Sequence, residues 1–172
     1  DLHVPMAQEF ARFINHHGSG AAHLEGARRT KEGHELLLMR VATGRPQRPA
    51  YRLQREELIG VLFTVKEHYP YVMSAREDFP DTPHQNLVPP EAPYSLCIDD
   101  RSWREAKITY TPAELLQRIV FWFEKAGKGE LHEASQPLDP YFLGTAETAI
   151  LPGQVFEQNP DERCDLTVVW AD

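Results

Sequence analysis

Cys97 sits in the run Tyr94-Ser95-Leu96-Cys97-Ile98-Asp99, directly after a proline-rich stretch. A thiolate is a strong nucleophile, and acyl transfer through it needs a reachable sulfur and a donor for the developing oxyanion. Asn86, upstream, carries two amide N–H groups that suit the second task. His84, Asp99 and Asp100 lie close by in sequence as groups able to hold or move a proton. The competing reading of Cys97 is a buried core thiol, because Leu96 and Ile98 flank it and free cysteines are often buried.

These residues need a frame. Val4 to about His16 reads as an amphipathic helix, with Met6, Phe10, Phe13 and Ile14 near helical spacing and Pro5 in the first turn. Ala21 to Arg29 reads as a short helix or a loop. Glu35 to Thr43, then Leu58 to Val65 within Tyr51–Glu67, then Tyr71 to Ala75 read as strands. Gly60, inside the second, predicts a bulge or a close backbone approach. Tight connections between them predict an antiparallel meander.

From Asp78 to Pro93 five prolines (Pro80, Pro83, Pro89, Pro90, Pro93) predict a long stiff loop without a regular element. Thr111 to Ala126 is the clearest helix. Thr111 is its N-cap, Pro112 its first residue, Glu114 completes a capping box, and Gly127 and Gly129 stop it. Leu115, Leu116, Ile119, Val120 and Phe123 give it one apolar face, with Trp122 read as packing. Further prolines break Ser135 to Asp161, and Leu166 to Trp170 reads as a last strand. The fold class expected is α+β.

One order of features is informative as a set: Tyr69-Pro70, His84-Gln85-Asn86, Leu96-Cys97-Ile98, Trp103, then a helix opened by Thr111. It resembles the ubiquitin-conjugating (UBC-fold) enzymes over roughly Val4 to Leu131. They have a helix, a meander ending in a Tyr-Pro turn, a His-Pro-Asn motif, the reactive Cys between apolar residues, a nearby Trp and a Thr-capped helix. Gln85 stands where that motif has its proline, the stretch from Asn86 to Cys97 is longer than in eukaryotic members, and their C-terminal helices are not evident. These departures resemble divergent bacterial members, found in ubiquitin-like conjugation operons and in CBASS antiphage systems.

The resemblance implies a UBC-like fold: an N-terminal helix, a meander of three or four strands, a catalytic-Cys loop and a helix packed on the sheet. It implies one such domain over residues 1–172, with 136–172 a divergent C-terminal extension. It further implies that Cys97 accepts, as a thioester, the C-terminal glycyl group of a ubiquitin-like protein or of a cGAS-like nucleotidyltransferase, and passes it to an amine. Asn86 matches the Asn that supports the loop or the oxyanion, and His84 the motif His with a structural role. Asp99 or Asp100, close to Cys97 in sequence and without a specific family match, is the group expected to orient or deprotonate the amine. The implied partners are the donor protein and a ThiF-like activating enzyme.

Composition agrees with this by exclusion. The chain has 172 residues, enough for one core, with 41% hydrophobic and 26% charged residues. A net charge of −8 disfavours nucleic acid, which needs a basic face. No apolar run approaches the roughly 20 residues of a membrane span. Two cysteines, Cys97 and Cys164, are too few for a thiolate zinc site and predict a reducing, cytoplasmic setting. The eight histidines show neither His-x-x-x-His nor His-Glu-x-x-His spacing, so no metal is expected. No Gly-x-x-x-x-Gly-Lys loop or dinucleotide fingerprint is present, so no cofactor is expected, and if Cys97 carries an acyl group another enzyme must load it. Two other readings remain: a non-catalytic binding module on the same fold, and a cysteine hydrolase using His84.

Overall fold

The computed structural model describes residues 2–18, 20–86, 88–89 and 91–131. Cys164, Tyr141, Phe142, the 166–170 strand and the 136–172 extension lie outside the described residues.

Helix α1 (Pro5–His17) buries Ala7, Phe10, Ala11 and Ile14. Its N-cap, Val4, has no side-chain acceptor to offer. The carboxylate of Glu35 supplies it instead, accepting the backbone N–H groups of His3 and Val4 at 2.6 and 2.9 Å. Glu35 opens the second strand, so this bond pins the helix start to the sheet.

Strands β1 (Ala22–Arg29), β2 (Glu35–Ala42), β3 (Glu56–Phe63) and β4 (Tyr71–Ser74) form the expected antiparallel meander. The segment 22–29, read as helix or loop, is thus an edge strand. As an edge it buries little of its length, so it carries no clean alternation for sequence to show. β2 alternates buried and half-buried residues along its whole length, as a strand with one covered face must.

The pairing of β2 with β3 runs unbroken through Gly60, so the bulge expected there is absent; the irregularity falls between Leu24 and Gly26 of β1. Gly60 is a close approach: a Cβ there would come within 2.8 Å of Leu36 Cδ1 and 3.3 Å of Met73 Cγ.

Two short strands extend the sheet beyond the meander. β5 (Gln85–Asn86) and β6 (Ser95–Leu96) pair with each other, and β6 pairs with β4, giving the order β1-β2-β3-β4-β6-β5. The proline loop therefore does contain a regular element. Two residues suffice because the bonds come from a distant strand rather than from local periodicity.

A four-residue helix α2 (Trp103–Ala106) follows, started by Ser102, whose N–H and hydroxyl both donate to the Glu105 carboxylate. Helix α3 (Pro112–Lys128) begins where Thr111 Oγ1 accepts the Glu114 N–H at 3.1 Å. Only that half of the expected capping box forms, because the Glu114 carboxylate is engaged by two arginines. Gly129, at φ 76°, ends the helix in the left-handed conformation that glycine accepts without strain.

One core joins α1 and α3 to the inner sheet face, through Phe10, Ile14, Leu37, Met39, Ile59, Val61, Leu115, Ile119 and Phe123. The proline loop is tied into it by Phe79, whose ring lies 6.0 Å from Tyr94 and 6.4 Å from Trp122.

Candidate active site around Cys97

Cys97 is the first residue past β6 and is half-buried. Its backbone N–H donates to the carbonyl oxygen of His84 at 2.9 Å, closing the β5–β6 ladder. The same oxygen accepts the indole N–H of Trp122 at 3.2 Å. His84 holds φ 56°, which non-glycine residues adopt at a cost, and these two bonds offset it. His84 thus contributes its peptide group as the junction between the Cys97 segment and α3.

Asn86 lies opposite Ser95 in the same ladder. Its Nδ2 donates to Ser95 Oγ at 3.0 Å and to the Leu96 carbonyl at 3.3 Å. Both amide hydrogens are therefore spent on the strand that carries Cys97.

Downstream, the Asp99 carboxylate is buried beneath Arg101 and Arg118. Arg101 reaches it through Nε at 2.9 Å, Nη2 at 2.7 Å and its backbone N–H at 3.1 Å. Arg118 Nε lies 3.4 Å from Oδ2. Glu114 Oε1 accepts from Arg101 Nη2 and Arg118 Nε, each at 3.0 Å. Burial pushes the Asp99 carboxyl up, but the Arg101 hydrogen bonds and the Arg118 charge outweigh it and hold it below the usual carboxylate range. A carboxylate so engaged is a poor proton acceptor.

Glu114, Arg118 and Trp122 are spaced four apart and so share one face of α3. That stripe grips the Cys97 segment on both sides: Trp122 through His84, and Arg118 with Glu114 through Asp99 and Arg101. Sequence reading gave Trp122 only a packing role and missed the arginines. The Glu114/Arg118 spacing was a usable signal; their shared partner, Asp99, was not.

A family model described as prokaryotic E2 family A matches residues 8–158. The chain belongs to this family. No curated protein matches it. Membership agrees with the helix–sheet–helix architecture and marks the chain as E2-like, in a family of transferases.

In this family A member, Cys97, Asn86 and Asp99 line one groove of about 340 Å³, with Tyr69, Ile98 and Trp103. Tyr69, Trp103 and Tyr110 pack edge to face at its base, with centroids 5.6 to 6.4 Å apart. Burial, then the nearby Asp99 charge, pushes the Tyr69 hydroxyl up, and burial does the same for Tyr110. His68 and Tyr71 also line the groove, their rings stacked at 4.9 Å. A larger cavity, about 580 Å³, lies between Ser74–Glu77 and residues 88–89 and 91–94; among the described residues it shares Val88 alone with the groove, and Cys97 is not part of its wall. Among the described residues no group of three metal-ligating side chains converges, and no helix is long and apolar enough to cross a membrane.

Proposed function

We propose that Cys97 is an acyl carrier. Its sulfur takes the C-terminal glycyl group of a ubiquitin-like protein, or of a cGAS-like nucleotidyltransferase, as a thioester, and the acyl group then passes to an amine. The observation that carries this reading is the seating of Cys97. It projects from a strand end into a groove, with its backbone fixed by His84 and its flanks held to α3. A thiol held this way meets an extended C-terminal tail at a reproducible position, which is what acyl transfer needs. Thioester exchange itself asks little further of the protein, because a thiolate both attacks and leaves readily.

In this reading Asn86 supports the loop, because its two donors already serve β6. His84 acts through its backbone. A ThiF-like activating enzyme loads the donor, and the setting is antiphage defence, on the resemblance to bacterial members drawn from the sequence. Intact mass of the protein co-expressed with its genomic neighbours tests this. A thiol-sensitive adduct on the wild type that becomes a stable ester on Cys97→Ser is the expected result. No adduct on either form, with partner binding kept by Cys97→Ala, would replace the carrier with a binding module.

A further inference from the structure

The transfer step needs a group that removes a proton from the attacking amine, and the groove contains a second, unassigned candidate for it. His68 stands on the groove wall, held by two contacts. Its Nδ1 lies 2.7 Å from the Tyr69 carbonyl oxygen, and its ring stacks on Tyr71 with an interplanar angle of 10°. A carbonyl oxygen only accepts, so Nδ1 carries the hydrogen. In the neutral ring the lone pair is then on Nε2, which has no hydrogen-bond partner among the described residues.

Three of the groove's other ionisable groups are poorly suited, and the fourth, Tyr71, is a phenol whose ring is stacked on His68. Asp99 is covered by Arg101 and Arg118. Arg101 stays charged. Tyr69 is half-buried against the Trp103 and Tyr110 rings, and burial, with the Asp99 charge, favours its protonated hydroxyl. His68 is exposed and its imidazole is fixed in orientation by backbone and ring, as a base that must meet an incoming nitrogen requires.

We propose that His68 Nε2 is the general base for aminolysis of the Cys97 thioester. The neutral amine attacks the thioester carbonyl and a C–N bond forms. Nε2 takes the proton the nitrogen sheds, the C–S bond breaks, and Cys97 leaves as thiolate. The imidazolium then returns its proton to that thiolate. The proposal rests on the carrier reading above and adds a residue to its second half-reaction only.

A two-step assay separates the two. The 172-residue protein is charged with a short Gly-Gly-ending peptide thioester. After removal of excess donor, discharge onto free lysine is followed by intact mass. His68→Ala is expected to charge as the wild type does and to discharge about 100-fold more slowly, with added imidazole restoring the rate. His68→Gln, which keeps a polar side chain of similar reach, is expected to stay slow and to melt as the wild type does. Wild-type discharge by His68→Ala would overturn the proposal and leave the carrier intact. So would slow discharge that imidazole does not restore, or equal loss of charging and discharge. Failure of the wild type to charge would sink the carrier reading, and this proposal with it.

Discussion

Trp122 donates its indole N–H to the carbonyl oxygen of His84 at 3.2 Å. That oxygen also receives the Cys97 backbone N–H. A tryptophan on the core side of α3 thereby sets where the backbone of the Cys97 segment lies. Trp122→Phe keeps most of the packing and removes the donor. It should cost about 1–2 kcal/mol, the worth of a half-buried hydrogen bond and some lost contact. Urea unfolding should show a lower midpoint at unchanged slope. An unchanged midpoint would mean that the indole bond does not hold this segment.

Asp99 gives the protein an acid-sensitive latch. Its folded pKa lies below the ordinary carboxylate value, through Arg101 and Arg118 acting against burial. The stability it contributes is therefore fully present above the unfolded value, about 3.9. It is lost as pH falls through the lower folded one. Wild type should weaken below about pH 4, and Asp99→Asn should be less stable at pH 7 while losing that part of the acid dependence. Parallel stability–pH curves for the two proteins would remove Asp99 from this role.

How much of this was open to sequence reading follows bond range. Thr111-Pro112 marked the start of α3, and the strict alternation of β2 marked a half-covered strand, because both signals are local. β1 was not legible, since its pairing to β2 rather than its own composition makes it a strand. β5 was hidden for the same reason, among prolines. At the site, Cys97 was singled out from its neighbours, and the fold places it on the groove wall. Asp99 was singled out too, as a proton acceptor; Arg101, two residues on, and Arg118, which sequence places far away and the fold brings to 3.4 Å, instead hold it as a paired carboxylate.

Tyr110 makes an alkaline counterpart. Burial raises its hydroxyl above the ordinary tyrosine value, and that oxygen is buried without a hydrogen-bond partner among the described residues. A raised folded pKa means that stability is full below the unfolded value, about 10, and falls as pH rises above it. Tyr110→Phe removes an unsatisfied hydroxyl while keeping its ring against Trp103. It should leave the stability at pH 7 unchanged or raise it by up to about 1 kcal/mol, and should flatten the decline above about pH 10. A loss of more than about 1 kcal/mol at pH 7 would show that the hydroxyl makes a useful bond.

If Cys97 is the acyl carrier proposed above, Asn86 would serve transfer in one of two ways that differ in their partners. As an oxyanion donor it would act alone, and its removal would cost about 10²–10³ in rate. As a loop support it would act through the two acceptors it now holds, Ser95 Oγ and the Leu96 carbonyl. The second role makes Asn86 and Ser95 one unit, and residues that share a hydrogen bond are not additive. Asn86→Ala and Ser95→Ala should then slow discharge of the Cys97 thioester by similar factors, about tenfold each. The double variant should be little worse than either alone. A silent Ser95→Ala beside a severe Asn86→Ala would instead mean that the amide leaves β6 during the reaction to meet the oxyanion.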